Sequence, residues 1–278
     1  MPSIDLLAAL TTDKLERYEG EFAKHTDFGT RTVDSLKQAL NIIADRDEHV
    51  DVLVLDNELT GVHDFVTHLR QKYPRLIIVL VDEEADFGMP GQADELSTDP
   101  FRNDDLMRKI KKLMSDRRQE TLRSDSLPAV RNISKQLRVA TGSTGKQEAA
   151  AQVVKDMGYD YVAYYHIDNV SPLTLGLKAQ QGPAAVNAIA PKSAGADDLM
   201  GWVAQNGQSR IAGPEDNPTH PLVARGRLGA VVCVPVAFNN VSYGVIAACN
   251  DRPGSIPQDS VLMLELVCTQ LAAALSKK

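Results

Sequence analysis

Two near-continuous apolar runs stand out in the first half of the chain, Val50–Leu55 (VDVLVL) and Leu76–Val81 (LIIVLV). Runs of that length without polar alternation predict strands buried on both faces of a parallel sheet. A shorter apolar run, Ser3–Leu10, precedes a stretch from Asp13 to Lys24 in which Leu15, Tyr18 and Phe22 recur at helical spacing. Thr30–Val33 reads as a weak extended piece and Ala93–Leu96 as an edge strand. Helices are predicted over Leu36–Ala44, with Leu36, Leu40 and Ile43 on one face, and over Phe65–Tyr73, stopped by Pro74. A long helix follows at Asp104–Leu122. Strand and helix alternate about five times, the pattern of a doubly wound α/β sheet.

The order changes after the polar cluster Arg123–Pro128. Two helices are predicted first, Ala129–Ala140 and Lys146–Met157, separated by a turn at Ser143-Thr144-Gly145. Extended segments follow at Tyr159–Ile167 and Leu173–Ala179, then a polar middle with a helix near Asp197–Gln205. Two strong strands, Gly229–Phe238 and Val241–Cys249, are joined at Asn239-Asn240, and asparagine tolerates the positive φ of a tight hairpin turn. Pro235 inside a strand calls for an edge or a bulge there. A terminal helix, Gln258–Ser276, carries Leu264, Val267, Leu271 and Leu275. This half reads as an α+β domain, an antiparallel sheet flanked by helices. The division expected is residues 1–118, a connector at 119–128, and residues 129–278.

Composition narrows the partners. The 278 residues suffice for two domains, and 43% hydrophobic with 24% charged residues is ordinary globular usage. With 30 Lys+Arg against 37 Asp+Glu the net charge is −7, which argues against a nucleic-acid coat or a basic membrane-surface protein. No apolar run approaches the ~18 residues of a membrane span. The start, MPSIDLLAALTTDK, lacks the basic region of a secretory signal. Three widely spaced cysteines, Cys233, Cys249 and Cys268, fit reduced thiols. The expectation is a soluble cytoplasmic protein that uses neither nucleic acid nor membrane. Basic residues crowd one place: Arg108, Lys109, Lys111, Lys112, Arg117, Arg118 and Arg123 fall on the long helix, beside an apolar stripe of Leu106, Ile110 and Leu113. That helix either packs on its own sheet or pairs with a second copy, and the repeat falters at Arg117, so no long coiled coil is supported.

Asp56 stands at the carboxyl end of the central apolar strand, where open α/β sheets place functional groups. With Pro100-Phe101 before the long helix, this resembles the receiver domain of response regulators over about residues 1–118. The resemblance implies that Asp56 is the phosphoacceptor position. The departures matter more. The acidic pair expected after the first strand is replaced by Leu10-Thr11-Thr12, the switch hydroxyl by Asp82, and the lysine by Asp99. The stretch EEADFGMPGQA leaves little room for a fourth helix. Phosphoryl transfer to aspartate needs a divalent cation and a positive partner for the phosphate. A phosphate on Asp56 would face Asp82 and Asp99 with no lysine, and like charges repel. Three readings of Asp56 stand open. It is a relic in a non-phosphorylated pseudo-receiver used for protein contacts, the reading favoured here; or a working phosphoacceptor with Mg²⁺; or, with Asp82 and Asp99, part of a cation site.

The segments DDLMGWVAQNG (197–207), GAVVCVPV (229–236) and Tyr243-Gly244-Val245-Ile246, with Asp259 opening the last helix, resemble a GAF domain. The resemblance spans nearly all of residues 129–277 and implies a small-molecule sensor module of signalling proteins. Its site is less defined. The cyclic-nucleotide signature keeps Asn250 and Asp259 alone, and the cysteines, 16 and 19 residues apart, offer no CxxC cluster. The six histidines include no zinc spacing, and His220 reads as a solvent-facing loop residue. Pocket candidates are Trp202, Arg210, His220, Arg225, Arg227 and Cys233, with the arginines suited to an anionic ligand. The chain is therefore expected to be a non-enzymatic sensor-regulator of the two-component type. It would act on a signalling partner or a second copy of itself, with a small molecule as a further candidate ligand.

Overall fold

The computed structural model describes residues 4–45, 48–85, 90–124, 128–239 and 241–276, with the side chains of 118–132, 138, 258 and 259 outside that description. The connector residues Asp125, Ser126 and Leu127 and the turn residue Asn240 are among those not described. The chain divides into two compact units, residues 1–71 with 75–120, and residues 121–278 with Lys72–Pro74.

The first unit follows the alternation in the sequence: β1 (Ile4–Ala9), α1 (Leu15–Phe22), β2 (Phe28–Val33), α2 (Leu36–Ala44), β3 (Val52–Asp56), α3 (Val62–Lys72), β4 (Ile77–Val81), β5 (Glu95–Ser97) and α4 (Asp105–Ser124). The strands form one parallel sheet in the order β2-β1-β3-β4-β5. The order reverses between β1 and β3, the topological switch point of doubly wound sheets. Every residue of β3 and β4 is buried, as their uninterrupted apolar runs require. On one face Leu6, Ala8, Val54 and Val79 pack with Tyr18 and Phe22 of α1 and Leu106 and Ile110 of α4. The α4 stripe is thus consumed by its own sheet, with Leu113 and Met114 at its margin. Its cations are used the same way: Lys109 reaches the Leu96 carbonyl, Lys111 pairs with Asp27, and Arg117 with Asp94. The apolar pattern that motivated pairing of this helix with a second copy is explained by its own core.

The second unit holds α5 (Pro128–Val139), α6 (Gly142–Asp156), β6 (Tyr161–Val170), β7 (Leu173–Gln181), α7 (Ala184–Ile189), β8 (Ser193–Gly195), α8 (Leu199–Asn206), β9 (Arg210–Ala212), α9 (Pro221–Ala224), β10 (Ala230–Phe238), β11 (Val241–Asn250) and α10 (Gln258–Ser276). Ser143-Thr144-Gly145, expected as a turn, is the first turn of α6. The six strands form an antiparallel sheet in the order β8-β7-β6-β11-β10-β9. One face, through Val162, Tyr164, Val232, Val234 and Ile246, packs against α5, α6 and α10. Strand pleating sends Tyr161, Tyr165, Cys233 and Cys249 to the other face. Pro235 sits where its missing N–H is harmless. β9 pairs with β10 only from Val231 to Cys233, and the ladder to β11 shifts register just beyond, between Val236 and Ala237.

Gly244 lies on β11 opposite His166, and a Cβ there would collide with the main-chain oxygen of Tyr165 on β6. The collision is with backbone, so the two central strands must part to relieve it. Gly244→Ala is expected to destabilise the second unit by about 2 kcal/mol, the usual scale of overpacking. Urea denaturation followed by circular dichroism measures it, and an unchanged midpoint would contradict the close packing of β6 on β11.

Candidate functional site

The carboxyl ends of the parallel strands converge on Asp56, the last residue of β3, which is fully buried. The structure supplies it with a cation the sequence did not lead one to expect there. Lys14, just before α1, places Nζ 3.0 Å from Asp56 Oδ1 and 2.6 Å from Glu58 Oε1. Thr11, at the end of β1, donates to Asp56 Oδ2 from its hydroxyl at 2.8 Å and its N–H at 3.2 Å. The Glu58 N–H donates to Oδ1 at 3.2 Å. Burial alone would raise the Asp56 carboxyl. The Lys14 ammonium, the Thr11 hydroxyl and the two N–H groups outweigh it and hold the carboxyl below its ordinary range. Burial likewise opposes the charge on Lys14, and Glu58 and Asp56 together hold its pKa above normal.

The expectation of an Asp56 pocket without a lysine is therefore corrected. The lysine comes from the segment after β1 instead of the end of β5, and it takes the side of the pocket where the receiver pattern has carboxylates. The cation-site reading is corrected too. Asp82 accepts from the Asn57 side-chain amide at 2.8 Å and from the Ala85 N–H at 3.2 Å. Asp99 is mostly exposed and lies 3.7 Å from Arg102. Among the described residues, Asp56, Asp82 and Asp99 are not gathered within ligating distance of one another. The Mg²⁺ that phosphoryl chemistry would require does not fit this donor set, because an ammonium already satisfies Asp56 Oδ1.

Around this centre, the Tyr18 hydroxyl donates to Glu83 at 2.8 Å and its ring meets that of Phe101 edge-on at 4.6 Å. Arg17 pairs with Glu83 and lies 5.2 Å from the Phe101 ring. Ser97, at the end of β5, donates to Asp105 on α4 at 2.9 Å. The expectation of a truncated helix between β4 and β5 falls partly on residues 86–89, which lie outside the described residues.

In the second unit, four of the six pocket candidates lie in the buried layer between the sheet and α8–α9. Trp202, Arg210, His220 and Cys233 are all nearly inaccessible, and Arg210 sits opposite Cys233 in the β9–β10 ladder. Its guanidinium lies 5.0 Å from the Trp202 ring centre. Arg225 and Arg227 are exposed and stand apart from this layer. His220 overturns the solvent-facing expectation. It is the N-cap of α9, its Nδ1 accepts the Leu222 N–H at 3.2 Å, and Pro221 takes the first helical position. The buried Leu222 and Val223 carry the cap inward with them, 6.4 Å from the rings of both Tyr161 and Tyr165. Burial pushes its pKa down to about 4. His220 Nε2, Thr219 Oγ1, Trp202 Nε1, and Arg210 Nε and Nη1 are all buried without a hydrogen-bond partner. The three cysteines are free and fully buried, and burial drives each thiol well up, so they are inert as nucleophiles.

Sequence reasoning missed Lys14, Thr11 and Glu58. Their only sequence signal is a lysine and two threonines directly after an apolar strand, and the pairing spans 42 positions.

A family model described as the GAF domain matches residues 147–276. No curated protein matches the chain in sequence. Among solved structures, the chain is similar to the GAF domain of a phosphoenolpyruvate-protein phosphotransferase from Acinetobacter, at 19% identity over 53% of this chain and 90% of that one, TM-score 0.43. It is similar to a free methionine-R-sulfoxide reductase from Neisseria meningitidis, at 19% identity over 52% and 84%, TM-score 0.46. It is also similar to the chromophore-binding domain of a bacteriophytochrome from R. palustris, at 16% identity over 54% and 61%, TM-score 0.43. Among the described residues, no helix is long and apolar enough to cross a membrane. With its antiparallel sheet, its flanking helices and the matched family model, residues 147–276 are a GAF domain.

Proposed function

We propose that the chain is a non-enzymatic signal-transduction regulator in which a pseudo-receiver is joined through α4 to a GAF sensor domain. The observation that carries the first part is the internal ion pair. A phosphoacceptor needs an unencumbered carboxylate oxygen and a divalent cation, whereas Lys14 engages Asp56 Oδ1 at 3.0 Å and itself supplies the positive charge. The ammonium shared between Asp56 and Glu58 fixes this pocket in one arrangement, which suits the first unit to presenting a fixed surface to a signalling partner or a second copy. The family match at 147–276 supports the sensor part.

The experiment is incubation with acetyl phosphate and Mg²⁺, followed by intact-mass measurement under non-acidic conditions. The expected result is no acid-labile adduct of about 80 Da. An adduct that disappears in Asp56→Ala would replace this reading with that of a working response regulator.

One observation favours a second activity for the GAF unit, recognition of a small molecule or cyclic nucleotide. The unpartnered polar atoms in the layer between sheet and α8–α9 are nearly all donors, from His220, Thr219, Trp202 and Arg210. Donors buried without acceptors are costly, and a ligand rich in acceptor oxygens would relieve that cost. A thermal-shift screen over nucleotides and small organic acids tests it. A stabilising compound whose effect is lost in Arg210→Ala supports it, and a flat profile leaves the interaction role alone.

A further inference from the structure

The opposite face of the GAF sheet carries a separate feature. A groove of about 820 Å³ opens at the amino end of α6, lined by Ser143, Thr144, Lys146, Gln147, His166 and Lys178, with Tyr243 and Leu275 as an apolar wall. The face is settled by the pleat: His166 and Asp168 continue the Val162, Tyr164 side of β6, which packs on α5, α6 and α10. Tyr161, Tyr165 and the layer around His220 lie across the sheet.

The groove gathers two lysines and an imidazole against a single lining carboxylate, Asp168. α6 runs for 15 residues, and its N-cap, Thr141, makes no side-chain cap hydrogen bond, so its first-turn N–H groups lack a side-chain cap where Gly142, Ser143 and Thr144 line the groove. Lys146, just past that first turn, has its ammonium 2.7 Å from the Ala274 carbonyl and pairs with no carboxylate among the described residues. Lys178 reaches in from β7 and is held by Asp168, at 2.9 Å and 3.1 Å to its two oxygens, the one acidic group on the lining. His166 meets the Tyr164 hydroxyl through Nδ1 at 3.1 Å, leaving Nε2 without a protein partner among the described residues.

Gln147 supplies an independent sign. It is 6% exposed, lines the groove, and its amide makes no hydrogen bond among the described residues. A primary amide that deep ordinarily finds a partner. This one lines the groove instead.

We propose that this groove binds a phosphate-bearing small molecule, with the phosphate at the α6 amino end. Backbone N–H groups, two hydroxyls, an imidazole nitrogen and the Lys146 ammonium converge from several directions, which suits a tetrahedral oxyanion with many acceptor positions. The volume exceeds that of phosphate alone and lies in the range of small-molecule sites. Tyr243 and Leu275 then bound the body of the ligand, and the Gln147 amide donates to one phosphate oxygen. Lys178 exchanges part of its hold on Asp168 for the ligand.

The test is a titration of inorganic pyrophosphate into the ¹⁵N-labelled full chain, with sodium chloride matched for ionic strength as the control. Saturable shifts are expected at the amides of Ser143, Thr144 and Gly145 and at the Gln147 side chain, absent from the chloride series. Lys178→Glu and Gln147→Leu are expected each to weaken binding at least tenfold, with unchanged thermal midpoints showing that the fold survives. If either variant fails to fold, Thr144→Val takes its place with the same expectation. Shifts that do not saturate, that match the chloride series, or that persist undiminished in the folded variants would overturn the proposal. Saturable shifts confined to the His220 layer would overturn it equally.

Discussion

Replacing Lys14 with methionine is expected to lower the stability of the first unit by about 3 kcal/mol, a drop of roughly 10 °C in its thermal midpoint. The reason is the difference in what each member of the pair leaves behind. Asp56 is fully buried, and Lys14 is 10% exposed along its side chain. Without the ammonium, Asp56 keeps its bonds from Thr11 and the Glu58 N–H but holds an uncompensated charge away from water. Asp56→Asn is the milder change, because Lys14 retains Glu58, itself partly in solvent. A stability order of wild type, then Asp56→Asn, then Lys14→Met is therefore expected in thermal or urea unfolding. The reverse order would show that the ammonium is not what neutralises Asp56. pH supplies a second check. The Asp56 carboxyl is depressed in the folded state, so its contribution is present above the unfolded value near 4 and is lost as pH falls through the folded value. Lys14 is raised when folded, so its contribution holds at neutral pH and fades only as pH climbs past the ordinary lysine range. Lys14→Met should flatten the acid limb of the first unit's stability curve.

The same residues show where sequence stopped informing. Val52–Asp56 and Ile77–Val81 were legible because a strand buried on both faces has no polar positions to confuse its period. The apolar spacing on α1 and α10 marked their buried faces equally well, while on α2 Ile43 is buried with Ala39 and Leu36 and Leu40 are half-buried. The elements that escaped were α7, β8, β9 and α9, of three to six residues each. Segments that short complete no period, and β9 exists because β10 offers it an edge, not because Arg210-Ile211-Ala212 prefers a strand. Site chemistry was less legible still. Asp56 could be found from its place at a strand end, but its partner Lys14 lies 42 residues earlier, and nothing in local pattern links the two. Leu10-Thr11-Thr12 drew attention to what was missing beside Asp56, while Lys14, two positions on, gave no sign that it is the residue paired with Asp56. His220 misled for a related reason: proline on both sides of Thr219-His220 suggests an exposed loop, yet one of those prolines starts a helix whose next two residues are core.

That buried histidine sets the second large effect, a loss of about 3 kcal/mol of stability in the GAF unit between pH 6.5 and pH 4. The sign follows from which state takes up the proton. Folded, His220 titrates at about 4 because burial penalises the imidazolium; unfolded, it titrates near the ordinary 6.5. Above the unfolded value both states are neutral and stability is full. As pH falls below it the unfolded chain binds a proton that the folded chain refuses, and stability declines by about 1.4 kcal/mol per pH unit until the folded group titrates as well. A single carboxylate cannot mimic this, since its window lies lower. Charging the ring would also be opposed by its site: Nδ1 accepts the Leu222 N–H and has no room for a second proton, and the Tyr161 and Tyr165 rings offer no anion to the imidazolium. His220→Asn keeps an acceptor for the α9 cap but removes the titration, so it should lower stability at pH 7.5 while levelling the slope between pH 6.5 and 4. Urea unfolding of both proteins at half-unit pH steps measures the difference. Equal slopes in the two would mean that His220 is not kept neutral by burial, and the inward placement of the α9 cap would fall with it.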